Sequence, residues 1–196
     1  MSLIRRAVVA ALGVALVAAV PALVAQQPAL VIGAYGGGYT HLLNLTASPP
    51  HADFRPGYNF GITVGFQLGE VVSLHSDFDF ARSRARGASP FAGALVDRMF
   101  LGEHLELAAN MGAGLKVYAF GGGGVIHVRQ STPQVFDAFW KPAGTLGVGM
   151  FVNVPRSNFD IMLEGKGLVY RFDRAGFNRV LWDATYGIGL AYRLRL

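Results

Sequence analysis

Charged side chains alternate with apolar ones along several stretches of the chain, and their types and spacing could support chemistry. Successive residues of a β-strand point to opposite faces, so Asp77 and Asp79 would share one face, as would Glu164 and Lys166. Two neighbouring carboxyl groups could act as a general acid and a general base. Paired with cations, the same groups would form a fixed charge network, and this is the role we expect. The predicted network consists of Asp77, Asp79, Glu106, Asp160, Glu164, Lys166, Arg193 and Arg195.

Other patterns that resemble catalytic or binding motifs are incomplete. The tetraglycine Gly121 to Gly124 lacks the lysine and the Ser/Thr of a phosphate-binding loop, and no helical pattern follows it. His75 and Ser76 are adjacent, so on a strand they would point to opposite faces and the imidazole could not activate the hydroxyl. The 5 histidines show no close ligand spacing, and the chain has 0 cysteines. We therefore expect no catalytic residue, no cofactor and no metal site.

The elements that would position these residues are alternating β-strands. In residues 58–68 and 185–196, large apolar residues alternate with small or polar ones, which is typical of a strand with one apolar face. The first strand contains glycine at both parities, that is, at odd and at even positions, so which of its two faces points outward stays open. The predicted strands are residues 30–45, 58–68, 71–81, a fourth within 99–110, 115–128, 143–154, 159–171 and 185–196.

The connections between these strands alternate between long and short. Long stretches that contain proline or arginine alternate with turns such as residues 69–70, 112–114 and 155–158. Short periplasmic turns, long outer loops and an even strand count are typical of outer-membrane barrels. The sequence therefore predicts an all-β fold, an eight-stranded antiparallel up-and-down transmembrane β-barrel. A barrel of this size is only wide enough for side chains to fill it, so we expect a plug of ion pairs in the lumen.

The N-terminal residues form a separate segment. Arg5 and Arg6 precede an apolar run from Ala7 to Val20, and small residues follow Pro21. This pattern predicts a secretory signal peptide over residues 1–25, with cleavage after Ala22 as the alternative. The barrel domain would then comprise residues 26–196.

Composition excludes several classes of protein. Without Arg5 and Arg6, the 17 basic residues fall to 15 against 12 acidic ones, a net charge of +3. This balance is too small and too scattered for a nucleic-acid-binding surface. The absence of cysteine excludes a disulfide scaffold. The 26 glycines lie mostly inside alternating runs beside aromatic residues, where inward glycines make room in a small barrel.

Three segments carry a resemblance to a known family: GAYGGGY at 33–39, YAFGGGGV at 118–125 and the terminal YRLRL. With the predicted signal peptide, they resemble the small eight-stranded OmpA/OmpX-type outer-membrane barrels. The resemblance implies a non-enzymatic, monomeric protein of the bacterial outer membrane with a structural or surface-interaction role. It also implies recognition of the C-terminal strand by the barrel-assembly machinery, although Leu196 replaces the usual terminal aromatic residue.

Basic residues follow the predicted outer strand ends. Arginine suits phosphate groups because its planar fork donates two parallel hydrogen bonds, so lipopolysaccharide is a candidate partner. Ordinary solvated loop charge is the alternative, and both remain open here. The residues are Arg82, Arg84, Arg86, Lys141, Arg174 and Arg179, together with Arg129.

Two further functions remain open. A soluble exported barrel of the lipocalin kind would bind a small apolar ligand, and its apolar strand faces would point inward. A lipid-A-modifying outer-membrane enzyme would resemble this chain in size and fold, but the local His-x-Ser arrangement of the lipid A deacylases is not reproduced. The two barrel types differ in whether the apolar column of residues 58–68 faces the lipid or the interior.

Overall fold

The computed structural model describes residues 28–43, 52–87, 92–131, 136–174 and 176–196. The predicted signal peptide and its cleavage site lie outside these residues. Nine strands are described: β1 Ala29–His41, β2 Ala52–Phe54, β3 Gly57–Gln67, β4 Val72–Gly87, β5 Leu95–Gly112, β6 Leu115–Gln130, β7 Phe139–Asn153, β8 Phe159–Phe172 and β9 Arg179–Arg195.

Eight long strands form one closed antiparallel sheet. Their spatial order is β4, β3, β1, β9, β8, β7, β6, β5, and each strand is hydrogen-bonded to the next. The ring closes because β4 pairs with both β3 and β5. The short β2 pairs only with the far end of β4. The predicted all-β barrel of eight antiparallel strands is therefore confirmed. Among the described residues, no helix is long and apolar enough to cross a membrane.

The exterior of the barrel is apolar and the sheet alternates strictly. On β3 the side chain of Ile62 is 51% exposed, whereas that of the next residue, Thr63, is 5% exposed. The same alternation places Leu190 of β9 outside and Ala191 inside. The outward-facing apolar side chains of the eight strands form a continuous band, which we call the apolar belt. Its members on β3 and β9 are Tyr58, Phe60, Ile62, Val64, Phe66, Tyr186, Ile188, Leu190, Tyr192 and Leu194.

The two ends of the barrel differ. The short connections at residues 68–71, 113–114 and 154–158 lie at the same end as Pro28 and Leu196, whose backbones are hydrogen-bonded. We call this the turn end and the opposite one the loop end. In β1, whose facing the sequence leaves open, Tyr35 and Tyr39 point inward and are buried.

The strands extend further toward the loop end than the sequence predicts. β4 continues to Gly87 instead of residue 81, and β9 begins at Arg179 instead of residue 185. β2 lies within a stretch predicted as a loop. The reason is that cross-strand hydrogen bonds join backbone groups, so the ladder continues where the alternation of apolar and polar side chains that marks a strand in the sequence is lost. β1 is the exception, because it ends at His41 rather than residue 45.

Inward glycines make room for large rings that cross the lumen. Gly65 lies beneath the imidazole of His75, and Gly149 lies beneath the phenol of Tyr118. A Cβ at either position would overlap the ring. Glycine in these strands therefore serves the packing of the interior.

Candidate functional site: the barrel interior and the loop-end rim

A lysine ammonium group lies at the centre of the interior. Lys166 Nζ is 2.5 Å from Asp77 Oδ2 and 3.0 Å from Asp79 Oδ2. It also lies 3.5 Å from Glu164 Oε1, and it donates a hydrogen bond of 2.9 Å to the hydroxyl of Tyr35. Tyr35 in turn donates to Asp79. The strands β4 and β8 thus bring together four of the residues in the predicted charge network.

A second layer lies closer to the turn end. The imidazoles of His75 and His104 are stacked with ring centroids 5.1 Å apart. His75 Nε2 is 3.5 Å from Glu106 Oε2, and Lys116 Nζ is 3.7 Å from the other oxygen of that carboxylate. His104 Nδ1 lies 3.2 Å from Asp77 Oδ2, which connects this layer to the lysine centre. The two histidines are not part of the predicted network, although both have the inward parity of Asp77 and Glu106.

The remaining members of the predicted network lie at the turn end. Arg193 donates a hydrogen bond of 2.7 Å to Asp160, whose other carboxylate oxygen accepts one of 3.1 Å from Asn153. Arg195 is exposed at the end of β9. The interior charges thus lie in layers along the barrel, with the Arg193–Asp160 pair nearest the turn end and Arg195 outside the layers.

Another buried ionic group, absent from the predicted network, lies toward the loop end. Arg98 of β5 donates hydrogen bonds of 3.0 Å to the hydroxyls of Tyr170 and Ser83, and its Nε is 3.5 Å from Asp183 Oδ2. Asp183 also accepts a hydrogen bond of 2.5 Å from Tyr39. Arg98 and Asp183 fall in stretches predicted as loops. The signal that would identify them is their parity, which matches that of Glu106 and Thr185 on the same strands.

An apolar cluster fills the interior at the loop end. Phe172 packs against Phe139 and Phe136, with ring centroids 5.6 and 5.5 Å apart. The sequence predicts a plug of ion pairs in the lumen, and this half of the interior, where apolar side chains pack, departs from that expectation. The physical reason is that the strands continue past the apolar belt, and there a barrel surrounded by water buries apolar side chains inside. Its larger members are Phe54, Val96, Phe100, Ile126, Val128, Phe136, Phe139, Leu168, Tyr170, Phe172 and Leu181.

The outer wall carries an ion cluster at the loop-end limit of the apolar belt. Arg82 Nε is 2.6 Å from Asp97 Oδ1, and a guanidinium nitrogen of Arg129 is 2.9 Å from Asp97 Oδ2. The three residues are cross-strand neighbours on β4, β5 and β6. Burial raises the pKa of the Asp97 carboxyl, but hydrogen bonds from Arg82 and Arg129 and their charges outweigh burial and lower it. The cluster has two cations for one anion, and the Arg129 side chain is 57% exposed.

A second cationic group surrounds Asp173 between β8 and β9. Lys141 Nζ is 2.5 Å from Asp173 Oδ2, and Arg174 donates a hydrogen bond of 2.7 Å to Oδ1. The hydrogen bond from Lys141 and the charges of Lys141 and Arg174 lower the pKa of Asp173. Of the other predicted phosphate contacts, Arg84 and Arg86 are exposed on β4, and Arg179 is half-buried at the start of β9. We call these basic residues together with the Arg82–Asp97–Arg129 cluster the loop-end rim.

The residues of the incomplete catalytic and phosphate-binding motifs lie in ordinary strand positions. His75 is buried in the interior, whereas Ser76 is exposed on the outer wall. Gly121 to Gly124 lie within the extended strand β6. Within the described part of the chain, no group of three or more His, Asp or Glu side chains is placed to hold a metal ion.

Comparison with known proteins gives matches to solved structures. No protein-family model matches the chain, and no curated protein matches it. Neisserial surface protein A aligns with a TM-score of 0.55 at 11% identity, over 86% of this chain and 96% of that chain. A major outer membrane protein from Thermus thermophilus aligns with a TM-score of 0.56 at 12% identity, over 86% of this chain and 100% of that chain.

A third match was solved with a bound polyanion. Ail, the attachment invasion locus protein of Yersinia pestis, in complex with the heparin analogue sucrose octasulfate, aligns with a TM-score of 0.52 at 14% identity, over 86% of this chain and 99% of that chain. All three are similar to this chain in fold. The closed ring of eight strands and the continuous apolar belt agree with that similarity, and the predicted resemblance to small outer-membrane barrels is confirmed. The chain has the fold and the apolar exterior of an outer-membrane β-barrel.

Proposed function

We propose that this protein is a non-conducting, non-enzymatic barrel of the outer membrane that presents its loop-end rim to anionic groups at the cell surface. The loop end faces outward and the turn end faces the periplasm, as expected when short turns are periplasmic. The observation that carries the proposal is the excess of arginine and lysine around Asp97 and Asp173. These side chains are at the level where the phosphates of an outer-leaflet glycolipid would lie.

The interior supports a scaffold role over transport. Lys166 is held by carboxylates from the opposite strand β4, and the rings of Phe136, Phe139 and Phe172 meet across the loop-end interior. A small eight-stranded barrel has room for side chains and little else. We therefore propose that no solute passes and that the activity of the protein resides in its outward surface.

The rim supports recognition of phosphate or sulfate. Arg129 and Arg84 are exposed, and a guanidinium group donates two parallel hydrogen bonds to an oxyanion. The complex of Ail with sucrose octasulfate shows that a barrel of this fold takes a polyanion. For this chain the corresponding partner would be the phosphates of lipopolysaccharide or another surface polyanion.

The test is binding of sucrose octasulfate, and separately of lipid A in mixed vesicles, to the purified barrel. We expect Arg84→Gln with Arg129→Gln to lower the affinity for both probes about tenfold, because each solvent-exposed ion pair contributes about 0.2–1 kcal/mol and about 1.4 kcal/mol corresponds to a tenfold change in affinity. The matched control is Arg156→Gln, which removes an exposed arginine from the turn end. Unchanged affinity in the double variant would mean that the rim is ordinary solvated loop charge.

A further inference from the structure

One carboxylate lies on the lipid-facing side of the barrel, in the middle of the apolar belt. Glu103 of β5 points outward, and the hydroxyl of Ser76 on β4 lies 2.8 Å from each of its carboxylate oxygens. The two residues are direct cross-strand partners. Along β5, Glu103 is flanked by the outward residues Leu101 and Leu105, and it lies six residues from Asp97 at the belt limit.

This position is unfavourable for an isolated barrel. Among the outward-facing residues of the belt that the structure describes, Glu103 is the only carboxylate. Lipid acyl chains offer no hydrogen-bond donor, and the Ser76 hydroxyl supplies only one proton to a group with several acceptor sites. Ionisable residues within a membrane are costly and mark functional contacts. A surface that meets Glu103 at this depth must therefore carry polar groups of its own.

The wall beside Glu103 is recessed. Its neighbour across the β5–β6 ladder is Gly123, and the neighbour of Leu105 is Gly121. The adjoining outward position on β7 is Gly144, which pairs with Gly123. Small residues let the backbones of membrane proteins approach closely, and polar side chains then bond across the contact. On the other side of the Ser76–Glu103 pair the wall carries larger side chains, since the neighbour of Ser76 across the β3–β4 ladder is Val64, which is 43% exposed.

We propose that a second copy of this chain covers Glu103, through an isologous contact along β4, β5 and β6. Two copies inserted in the same direction are related by a two-fold axis parallel to the membrane normal, so each residue meets its counterpart at the same depth. The Ser76–Glu103 pair of one copy then faces that of the other. A carboxyl group that carries its proton both donates and accepts hydrogen bonds, so the two carboxyl groups bond to each other and accept from the two Ser76 hydroxyls, in a region where lipid provides no donor.

The inference departs from the monomer expected from the sequence. It is independent of the proposed function, because the loop-end rim contributes no residue to the pair. The absence of native cysteine makes a direct test possible, since any single cysteine introduced is the only thiol in the chain.

The experiment compares cross-linking of two single-cysteine variants in native membranes with a short bismaleimide. Leu101→Cys lies next to Glu103 on β5 and replaces a side chain that is 56% exposed. Its matched control is Leu190→Cys, on β9 across the barrel, where the side chain is 55% exposed. We expect Leu101→Cys to give a band at twice the monomer mass and Leu190→Cys to remain monomeric.

The second step removes the polar pair. Adding Glu103→Leu to Leu101→Cys should lower the rate of dimer cross-linking about tenfold, which is the scale of hydrogen bonds between membrane segments. The folded barrel, followed by heat-modifiable gel mobility, should persist, because leucine suits the lipid face better than glutamate. Adding Glu103→Gln should retain most of the cross-linking, since an amide both donates and accepts hydrogen bonds.

Three results would overturn the proposal. Equal cross-linking at Leu101→Cys and Leu190→Cys would show random collision. Unchanged cross-linking after Glu103→Leu would show that the carboxyl does not hold the contact. A cross-link from Leu101→Cys to a different polypeptide, with no dimer, would assign this wall to another partner.

Discussion

Lys166 on β8 and Asp77 on β4 meet across the full width of the lumen, with 2.5 Å between Nζ and Oδ2. The strands β4 and β8 are on opposite sides of the ring. The ammonium group of Lys166 also contacts Asp79 of β4 and Glu164 of its own strand. Among the described residues, no other lysine forms an ion pair with the opposite wall of the barrel. The pair therefore holds the two opposite walls of the barrel together.

The first prediction concerns the Lys166–Asp77 ion pair. Lys166→Met should destabilise the barrel by about 3–5 kcal/mol, because breaking a buried ion pair leaves an uncompensated charge. Urea unfolding of the barrel in lipid vesicles measures the change. Arg156→Met, at the exposed turn end, is the control and should have little effect. A loss below about 1 kcal/mol for Lys166→Met would mean that the lumen carboxylates find another partner.

The second prediction concerns conduction. The wild-type barrel in a planar bilayer should show no large, steady porin-like current, because ion pairs and the loop-end apolar cluster occupy the lumen. Phe172→Ala combined with Leu181→Ala removes two fully buried side chains of that cluster and should increase ion leak. Porin-like conductance in the wild type would contradict the closed lumen and move the function to transport.

The third prediction concerns the apolar belt. Leu190→Arg and Phe60→Arg should each reduce folding into bilayers, because arginine on the lipid face near the midplane costs about 2–4 kcal/mol. Heat-modifiable gel mobility gives the folded fraction. Ser157→Arg, in an exposed turn, is the control and should fold like the wild type. Normal folding of both belt variants would mean that these faces do not meet lipid.

The fourth prediction concerns pH. The pKa of Asp97 is lower in the folded barrel than its ordinary value of about 3.9. Its stabilising contribution is therefore fully present above that ordinary value and is lost as the pH falls through the lowered, folded pKa. The stability difference between the wild type and Asp97→Asn should be constant above about pH 5 and should shrink under stronger acid. A difference that shrinks at higher pH would contradict the pairing with Arg82 and Arg129.

The sequence predicts the belt better than it predicts the loop end. Alternation at 58–68 and 185–196 assigns Phe60 and Leu190 to the exterior, because only one periodicity fits a strand with an apolar face. The same rule fails near Arg98 and Asp183, because Asp97 is polar at an outward position beside Arg98 and Leu181 is apolar at an inward position beside Asp183, so the alternation is lost on both strands. There only the odd or even position of a residue indicates whether it points inward, and this rule can be applied only once the strand is known to continue without a shift in register.

For the interior charges, the sequence predicts which residues point inward but not how they pair. Asp77, Asp79, Glu164 and Lys166 are identifiable from parity, but which carboxylate meets which cation depends on the ring closure between β4 and β5. The positions of the residues along their strands leave the partner of Glu164 open, and the structure places Lys166 Nζ 3.5 Å from Glu164 Oε1. Pairing across a lumen is set by the stagger of the whole barrel, which no local pattern contains.

The position of the Arg82–Asp97–Arg129 cluster fixes the vertical placement of the barrel in its membrane. Toward the turn end from this cluster the wall is hydrocarbon-like, and beyond it the strands are polar outside and apolar inside. If the barrel sank by one pair of residues, the two guanidinium groups would enter the acyl chains; if it rose by one pair, Phe80 and Met99, the next outward residues on β4 and β5, would enter water. Since both displacements are unfavourable, the cluster sets the depth of the loop-end boundary, and the height of the apolar belt below it sets the hydrocarbon thickness that the barrel matches.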